Sequence, residues 1–333
     1  MTKKAKCILL YSGGLDSLLA GKILLDLNIE VIGLHCLLPY YPPDTDLEKL
    51  DLSMNAKHIG LSLIHHRCGP DYIDILKNPP NGYGKNINPC IDCKIYFIKK
   101  AAEMMMNTNA DFVATGEVVG QRPMSQQKNT LNLIENSTLK GRLLRPLSAK
   151  LLKPTIPEIT GLVDRDKLYD INGRGRSGQL ELAEKFGLAN FAQPSGGCLF
   201  TDKFIAARVK DLIDNDLEFK QEELYLLKIG RHFRINPSLK IVVSRNKEDT
   251  LQLEKYEDNS DFFFRPDFSG PSVYAKGAMN ENDIDVINSI ISRYGKSSAT
   301  ENIINIYKNK NFYKAINSIE PIDDKELENY RII

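Results

Sequence analysis

The chain has 333 residues, with 44 basic against 43 acidic side chains, a net charge of +1 and an apolar fraction of 42%. This length predicts two or three domains, and the balanced charge excludes an overall electrostatic signal for nucleic-acid binding. Because there is no secretory apolar core near the N-terminus and no apolar run of membrane-spanning length, we expect a cytoplasmic protein without a membrane partner. Its six cysteines are then expected to be free, metal-binding or catalytic rather than paired in disulfides.

Strand and helix patterns alternate along the first half of the chain. Short apolar runs predict buried strands at residues 7–11, 30–36, 61–68, 111–116 and 142–147. Helical patterns lie between them at residues 18–27, 50–59 and 91–107. This alternation predicts an α/β fold with a doubly wound parallel sheet, whose ligands bind at the carboxyl ends of the strands. Ser12, Cys36, Cys68 and Gly116 lie near those ends, so we expect the loops after them to share one crevice.

The pattern changes in the second half of the chain. Residues 157–162 and 178–186 predict short helices, and 187–202 predict a structured loop. Beyond them, helices are predicted at 204–215 and 284–294 and strands at 239–245, 261–265 and 272–276, before a polar tail. We therefore expect two domains, residues 1–202 and a smaller α+β domain at 203–333.

A glycine-rich turn joins the first predicted strand to the first predicted helix. Residues 12–17 read Ser-Gly-Gly-Leu-Asp-Ser, and such glycines let successive backbone N–H groups point into one concavity at the positive end of a helix dipole. The turn lacks the Gly-Lys-Ser/Thr ending of a Walker loop, so lysine-assisted γ-phosphate chemistry is not implied. A turn without a ligand is the alternative, but the pattern favours a phosphate site.

This turn resembles the Ser-Gly-Gly-x-Asp-Ser loop of the PP-loop ATP pyrophosphatases. The resemblance implies that ATP is cleaved between its α- and β-phosphates and that AMP is transferred to the substrate. It also implies that the pyrophosphate is held by Ser12, Gly13, Gly14, Asp16 and Ser17. Asp16 would help to hold Mg²⁺, which neutralises charge that develops on the phosphates.

Cysteines supply a second candidate centre. Cys90 and Cys93 form a Cys-x-x-Cys at a predicted loop-to-helix junction, where a helix N-terminus favours thiolates. Cys198 lies far along the chain in a Pro-Ser-Gly-Gly-Cys loop. A redox dithiol with Cys198 as a spectator is one alternative, and a zinc site, which lacks a second Cys-x-x-Cys, is another. The remaining cysteines lie in or beside apolar strands and are predicted to be small core residues: Cys7, Cys36 and Cys68.

Together, the turn and the cysteines resemble the tRNA thiolases, the 4-thiouridine and 2-thiouridine synthetases. In one group of these enzymes two cysteines form a persulfide pair. In another, archaeal and thermophilic group, three cysteines hold a [4Fe–4S] cluster. The resemblance implies that Cys90, Cys93 and Cys198 are catalytic and ligate such a cluster, leaving one iron open to sulfide. Persulfide chemistry without a cluster is the alternative.

A threonine–glycine turn, Thr115 and Gly116, follows the fourth predicted strand. The thiolase resemblance places this turn near the ATP phosphates and the target base. Many relatives have a histidine after the glycine, where this chain has Glu117. Arg122 is predicted to pair with phosphate, because a guanidinium matches phosphate geometry, and a solvated loop arginine is its alternative.

Two features bear on RNA. A basic stretch predicts either RNA contact or a solvated surface, and its members are Lys140, Arg142, Arg145, Lys150, Lys153, Arg165, Lys167, Arg174 and Arg176. In the smaller domain, residues 230–234, 243–246 and 267–271 resemble the NFACT-R type of RNA-associated domain. The alternative interpretation of that domain is a module for packing or for formation of a homodimer.

The resemblance as a whole implies an ATP-dependent tRNA sulfurtransferase. A uridine carbonyl oxygen would attack the α-phosphate, pyrophosphate would leave, and sulfur would then displace AMP from a base exposed to the pocket. The implied partners are tRNA and a sulfur donor, either sulfide or a cysteine desulfurase. An amide-forming PP-loop ligase that uses ammonia is one alternative, and a non-catalytic RNA-binding adaptor is another.

Overall fold

Each half of the chain folds around its own β-sheet. The computed structural model describes residues 4–188, 191, 198–216, 218–296 and 302–333. The chain divides into two units, Met1–Cys198 and Leu199–Ile333, whereas the sequence pattern places the boundary after residue 202. Within the described ranges, no helix is long and apolar enough to cross a membrane.

The first unit contains a five-stranded sheet in which every pair of neighbouring strands is parallel. Its strands are β1 (Lys6–Leu10), β2 (Glu30–Leu37), β3 (Ser62–Arg67), β4 (Phe112–Thr115) and β5 (Leu143–Leu144). The strand order is β3-β2-β1-β4-β5, so the order reverses between β1 and β4. In an open parallel sheet, ligands bind at the carboxyl ends of the strands beside such a reversal.

Helices cover both faces of this sheet. They are α1 (Leu15–Asp26), α2 (Asp51–His58), α3 (Pro70–Lys77), α4 (Cys90–Asn107), α5 (Lys128–Asn136), α6 (Ile156–Ile159) and α7 (Ser177–Lys185). Because side chains alternate along a strand, Cys7 and Leu9 of β1 pack in the core with α1, while Ile8 packs in a second core with α4. Burial on both faces explains the continuous apolar runs of the strands. The predicted doubly wound α/β fold is confirmed.

The second unit contains a six-stranded sheet with the order β11-β10-β8-β9-β7-β6, and neighbouring strands are antiparallel. Its strands are β6 (Arg231–Asn236), β7 (Leu239–Val243), β8 (Phe262–Pro266), β9 (Val273–Lys276), β10 (Ile303–Lys308) and β11 (Asn311–Asn317). Its helices are α8 (Lys203–Asn215), α9 (Gln221–Tyr225), α10 (Lys247–Lys255), α11 (Glu281–Tyr294) and α12 (Asp324–Glu328). The predicted smaller α+β domain is confirmed.

The hairpin of β10 and β11 corrects one prediction, because the sequence pattern assigned this part of the chain to a polar tail. Ile304 and Ile306 of β10 are fully buried and face the core of the second unit. Strand β11 pairs with β10 at the edge of the sheet, and none of its residues is buried. An edge strand that buries no residue lacks the alternation by which strands are detected in sequence.

Candidate functional site

A cavity of about 330 Å³ opens at the carboxyl ends of β1, β2 and β4, beside the reversal of strand order. We call it the switch-point cavity. Its volume lies at the lower end of the range typical of small-molecule sites. Six of the predicted site residues line it: Ser12, Asp16, Ser17, Thr115, Gly116 and Arg122.

The turn between β1 and α1 is held by a glycine that no other residue can replace and by the hydrogen bonds of one of its own hydroxyl groups. Gly13 has a φ of +79°, and a Cβ atom there would lie 2.4 Å from the Leu52 Cβ, so only glycine fits. The Ser17 hydroxyl donates to the Gly14 carbonyl at 2.8 Å and accepts from the Ser12 N–H at 3.3 Å. Helix α1 begins after Gly14 without a side-chain cap. Its first-turn N–H groups are therefore left without a side-chain acceptor, which suits an anion.

Asp16 has one carboxylate oxygen that is without a hydrogen-bond partner among the described residues. Its Oδ2 accepts a hydrogen bond of 3.1 Å from the Gln121 side chain. Its Oδ1 is buried and has no hydrogen-bond partner among the described residues. Buried polar atoms are normally paired, and a carboxylate oxygen is a ligand that Mg²⁺ prefers. Asp16 therefore fits the predicted role of a Mg²⁺ ligand.

Gly116, at the end of β4, packs directly on this turn. A Cβ atom at Gly116 would lie 2.5 Å from the Asp16 carbonyl oxygen and from the Ser17 nitrogen. Both are backbone atoms, which cannot turn aside as a flexible side chain can. The backbone of the threonine–glycine turn therefore touches the backbone of the turn at residues 12–17, which we call the phosphate turn after its predicted ligand. A side chain at position 116 would separate the two turns.

Glu117 is the centre of a buried charge network beside the cavity. Its carboxylate accepts hydrogen bonds from Arg145 Nε and from the Thr115 hydroxyl, both at 3.1 Å, and Lys94 Nζ lies 3.5 Å from its Oε1. Burial opposes ionisation of Glu117, but Lys94 and Arg145 outweigh it and hold its pKa below the ordinary value. Lys94 and Glu117 both line the cavity, so this network brings a lysine of α4 to the site.

Arg145 corrects a prediction, because the sequence pattern placed it in a basic surface stretch. It is only 2% exposed, and it bonds Glu117 and Glu135. Arg165, of the same stretch, is half-buried and bonds Glu158 and the Ala149 carbonyl. The lysines of the stretch, together with Arg142 and Arg174, are exposed, and these are the residues that remain available for contact with RNA: Lys140, Arg142, Lys150, Lys153, Lys167 and Arg174.

A pair of histidines also borders the cavity and was not predicted from the sequence. His35 of β2 lines the cavity, and its Nδ1 lies 3.0 Å from the Nδ1 of His65 on β3. The His65 Nε2 lies 3.2 Å from the Ser53 hydroxyl. Burial, with a contribution from His65, lowers the pKa of His35 to about 4. His35 is therefore uncharged at neutral pH and contributes a polar but neutral wall.

Aromatic rings supply another part of the cavity wall. Tyr40 and Tyr41 follow β2 with their ring centroids 5.0 Å apart, and Phe97 of α4 lines the same cavity. Flat rings of this kind are suited to stacking against a nucleobase. The Tyr-Tyr-Pro-Pro run at residues 40–43 is the sequence signal that could have indicated this wall, because it follows closely on a buried strand.

The cysteines of the second candidate centre lie at and near the start of α4. Cys90 is its first residue, and Cys93 accepts a hydrogen bond of 3.3 Å from the Tyr72 hydroxyl. Burial raises the pKa of Cys93, the Tyr72 bond opposes this, and the Cys198 and Cys90 thiols add to the rise. Cys90 and Cys198 are therefore both near enough to Cys93 to raise its pKa.

These cysteines do not form a ligand set in the described residues, where no three His, Cys, Asp or Glu side chains are arranged to hold a metal ion. Residues 192–197 of the predicted cysteine loop lie outside the described residues. In the described residues none of Cys90, Cys93 and Cys198 forms a disulfide, and three thiols are the donor set that an iron–sulfur cluster with one open iron requires. The donors therefore fit the group in kind and number.

The other three cysteines differ from one another. Cys7 is fully buried in the core, as predicted. Cys68 is also buried, and a hydrogen bond with Cys36, together with burial, raises the pKa of the Cys68 thiol. Cys36 is half-buried and lines the switch-point cavity. The prediction of a core role is met only in part by Cys36, which packs against the core on the α4 side of the sheet but also faces the cavity, because β2 ends one residue later.

Comparison with known proteins gives two kinds of likeness. Residues 230–331 match the model of the NFACT protein RNA binding domain. None of the curated proteins matches the sequence. The likeness to the NFACT-R type of domain is therefore confirmed for that region of the chain, and it covers less than half of the chain.

Among solved structures, the chain is similar to a 4-thiouridine synthetase in complex with RNA and bound ATP. The sequences are 22% identical, the match covers 66% of this chain and 53% of the synthetase, and the TM-score is 0.36. The chain thus spans about half the length of that protein. It is also similar to the U34-tRNA thiolase NcsA from Methanococcus maripaludis with its [4Fe–4S] cluster, with 18% identity over 67% of this chain and 69% of the thiolase and a TM-score of 0.33. The predicted likeness to tRNA thiolation enzymes is confirmed as a likeness, and at this level it assigns no activity.

Proposed function

We propose that this chain is an ATP-dependent tRNA sulfurtransferase, a PP-loop enzyme that replaces a uridine carbonyl oxygen with sulfur. One observation carries the proposal: the turn at residues 12–17, with an Asp16 oxygen that has no partner in the described residues, and helix α4, which begins at Cys90, border the same cavity. None of Cys90, Cys93 and Cys198 is itself among the residues that line it. Asp16 lines it from one side, and Lys94 and Phe97 of α4 line it as well. An ATP phosphate site and a thiol-bearing helix at one cavity are what activation followed by sulfur transfer requires.

In the first stage, the uridine carbonyl oxygen attacks the α-phosphorus of ATP and pyrophosphate leaves, so AMP becomes bonded to that oxygen. The turn at residues 12–17 holds the pyrophosphate through its N–H groups, and Asp16 is the residue that would hold a Mg²⁺ ion, which would supply positive charge to the phosphates. Lys94 and Arg122 are the cations of the cavity wall. They stabilise negative charge that develops on the phosphates as the bond to pyrophosphate breaks.

In the second stage, a sulfur nucleophile attacks the adenylated carbon, AMP leaves with the oxygen, and a C=S bond remains after loss of a proton. Cys90, Cys93 and Cys198 are the residues that would hold a [4Fe–4S] cluster. When bound, such a cluster supplies an iron that has no protein ligand and can take up sulfide. The sulfur comes from sulfide or from a cysteine desulfurase.

The match of residues 230–331 to an RNA binding domain supports RNA as the polymer that carries the uridine. Of the exposed basic residues of the first unit, Lys140 and Lys153 line a separate concavity of that unit, together with Glu135 and Glu158. The domain match and these two lysines suit a polyanionic substrate. The cytoplasmic location stays a prediction from the sequence.

The test is an anaerobic incubation of the whole chain with ATP, Mg²⁺, a tRNA transcript and sulfide, followed by analysis of nucleotides and of nucleosides by mass spectrometry. We expect AMP, pyrophosphate and thiouridine. Asp16→Asn should lower all three by about 10²–10³-fold, because a Mg²⁺ ligand contributes several kcal/mol to charge stabilisation. Asp26→Asn is the matched control on the same helix, since Asp26 is exposed and pairs only with Lys22 among the described residues. ADP as the only product would contradict the proposal.

The same assay separates activation from sulfur transfer. Cys198→Ala should still release pyrophosphate in the presence of tRNA yet form no thiouridine, because the phosphate turn does not depend on this thiol. Cys7→Ala is the control, since Cys7 is buried in the core away from the cavity wall, and it should retain thiouridine formation. Normal thiouridine formation by Cys198→Ala would show that sulfur travels by another route.

A further inference from the structure

A second concavity, of about 450 Å³, lies within the second unit. We call it the basic concavity. It is formed where the start of β6, the connection from β7 to α10, the loop after β8 and the end of α11 meet. Its lining residues include Arg231, Lys247, Phe268, Tyr294 and Lys296. The three segments that resemble the NFACT-R type of domain each contribute to this one wall.

The charge of the basic concavity is positive and largely uncompensated. Four cationic side chains line it, and no Asp or Glu does so among the described residues. Arg245 is neutralised by Asp249, to which its Nε bonds at 2.6 Å. Lys247 and Lys296 are exposed and have no carboxylate within ion-pair distance in the described part of the chain. These two ammonium groups are therefore available to an anionic ligand.

Planar groups lie beside these cations. The Arg231 guanidinium stacks over the Tyr294 ring at 4.3 Å. The half-buried Phe268 ring packs against two glycines, since Cβ atoms at Gly270 and Gly295 would lie 3.0 and 2.7 Å from it. Phe268 also packs against the core of the second unit, so its ring is fixed in the wall by backbone and by core side chains. Aromatic rings and stacked guanidinium groups are the surfaces on which unpaired bases stack.

The wall itself is held by hydrogen bonds that do not involve the cationic groups. The Ser244 hydroxyl, which is buried, accepts from the Ser272 N–H at 3.0 Å and lies 2.9 Å from the Thr250 hydroxyl, which donates to it. The backbone N–H of Lys296 donates to the Ser269 carbonyl at 2.7 Å. The loop after β8 is thus fastened both to the β7–α10 connection and to the end of α11. A ligand therefore meets a wall that is already formed.

We infer that the basic concavity binds one unpaired nucleotide of an RNA strand, with a phosphate between Lys247 and Lys296 and the base against Phe268 or the Arg231–Tyr294 stack. A paired base hides both of its faces within the duplex, so rings inside a concavity serve a base that is splayed out. The inference rests on the proposed function only in taking RNA as the polymer.

The test is fluorescence anisotropy of the whole chain with a labelled ten-nucleotide oligouridylate and, in parallel, with a blunt RNA duplex. Lys247→Ala with Lys296→Ala should weaken binding of the single strand about tenfold at 0.1 M salt and reduce the salt slope by about 0.7, the value for the one phosphate that is no longer neutralised. Lys220→Ala with Lys325→Ala removes the same charge from exposed positions of the same unit outside the concavity. This control should change the affinity less than twofold.

Phe268→Leu tests the proposed contact with the base rather than the contact with the phosphate. It should weaken binding of the single strand about fivefold or more, because stacking of a base on an aromatic ring contributes this much, and it should leave the salt slope unchanged. Phe312→Leu is the control, since Phe312 is 61% exposed on β11 and lies outside the concavity. Equal losses in variants and controls, or duplex binding as tight as that of the single strand, would overturn the inference.

The proposed function and this inference can fail separately. If the wild-type chain forms thiouridine but the concavity variants bind the oligouridylate as tightly as it does, the inference is wrong and the function stands. If the wild-type chain forms no thiouridine but binds the single strand and the variants lose that binding, the function is wrong and the inference stands.

Discussion

The switch-point cavity of the first unit and the basic concavity of the second unit use charge in opposite ways. At the switch-point cavity, Glu117 and Arg145 are buried and paired, and His35 is buried and neutral. At the basic concavity, Lys247 and Lys296 are exposed and have no carboxylate partner in the described residues. Buried, oriented charges act strongly at short range, which suits the chemistry of a small ligand. Exposed cations act through counterion release, which suits a polyanionic chain.

Burial of charge does not by itself mark a site in this molecule. In the second unit, Asp211, Arg234 and Lys240 form an ion cluster in which Lys240 is only 6% exposed. None of the three lines the basic concavity. The difference from Glu117 and Arg145 is one of position, because that pair lies beside the switch-point cavity, whereas the ion cluster does not line the basic concavity. A perturbed charge therefore indicates a function only together with a cavity.

The largest effect that tests this comparison is on stability. Arg145→Met should destabilise the chain by about 3–5 kcal/mol, because it leaves Glu117 buried without its main partner. Arg245→Met removes a partly exposed arginine from the buried Asp249 and should cost less, about 1–2 kcal/mol, because Asp249 keeps hydrogen bonds from the Gly230 and Arg245 backbone N–H groups. Urea unfolding of the two variants measures both values. Equal losses in the free energy of unfolding would mean that the charged pairs beside the two concavities contribute equally to stability.

The next effect is on ligand binding at the switch-point cavity. Gly116→Ala should weaken ATP binding by about tenfold to a hundredfold, because the added methyl group forces the phosphate turn to shift at an overpacking cost of about 1–3 kcal/mol. Calorimetric titration with ATP measures this change. Gly175→Ala is the control, since a Cβ atom at Gly175 would meet nothing within 4 Å. ATP binding of wild-type strength in Gly116→Ala would show that the turn is free to move.

The smallest effect is a difference in pH dependence between one buried glutamate in each unit. The folded pKa of Glu117 is lowered, so its contribution to stability is present above its unfolded pKa and is lost as the pH falls. Burial raises the folded pKa of Glu223, although Lys240 and the Tyr274 hydroxyl oppose this, so its stability is greatest in acid and is lost as the pH rises through the folded pKa.

Unfolding of Glu117→Gln between about pH 2.5 and pH 5, and of Glu223→Gln between about pH 4 and pH 7, checks these signs, because a carboxyl with a lowered pKa titrates in the more acid range. Relative to the wild type, Glu117→Gln should lose stability as the pH rises, whereas Glu223→Gln should gain it. Both substitutions are close in volume to the original side chain, so packing changes little in either variant. The same sign for both would contradict the assignment of opposite environments.

Local patterns were sufficient to predict the core of the first unit. The apolar run, the glycine turn and the helix at residues 7–27 are contiguous, so their arrangement follows from neighbours in sequence. The cavity wall was not predictable in this way, because Arg145 meets Glu117 across 28 positions and His65 meets His35 across 30. Only the parallel pairing of strands brings these partners together. The β10–β11 hairpin was missed for another reason, since β11 buries no residue.

The close approach of Gly116 to the backbone of Asp16 and Ser17 has a consequence for how relatives of this chain should be interpreted. Selection for a folded first unit is enough to retain a glycine at this position, whether or not the protein still cleaves ATP. Asp16 is the opposite case, because its Oδ1 is buried and bonds nothing in the described residues. The fold gains nothing from that oxygen, so a lineage that had abandoned the chemistry would be free to lose it. In a relative, a retained aspartate at this position would therefore indicate the proposed chemistry, whereas a retained glycine at the other position would indicate only the fold.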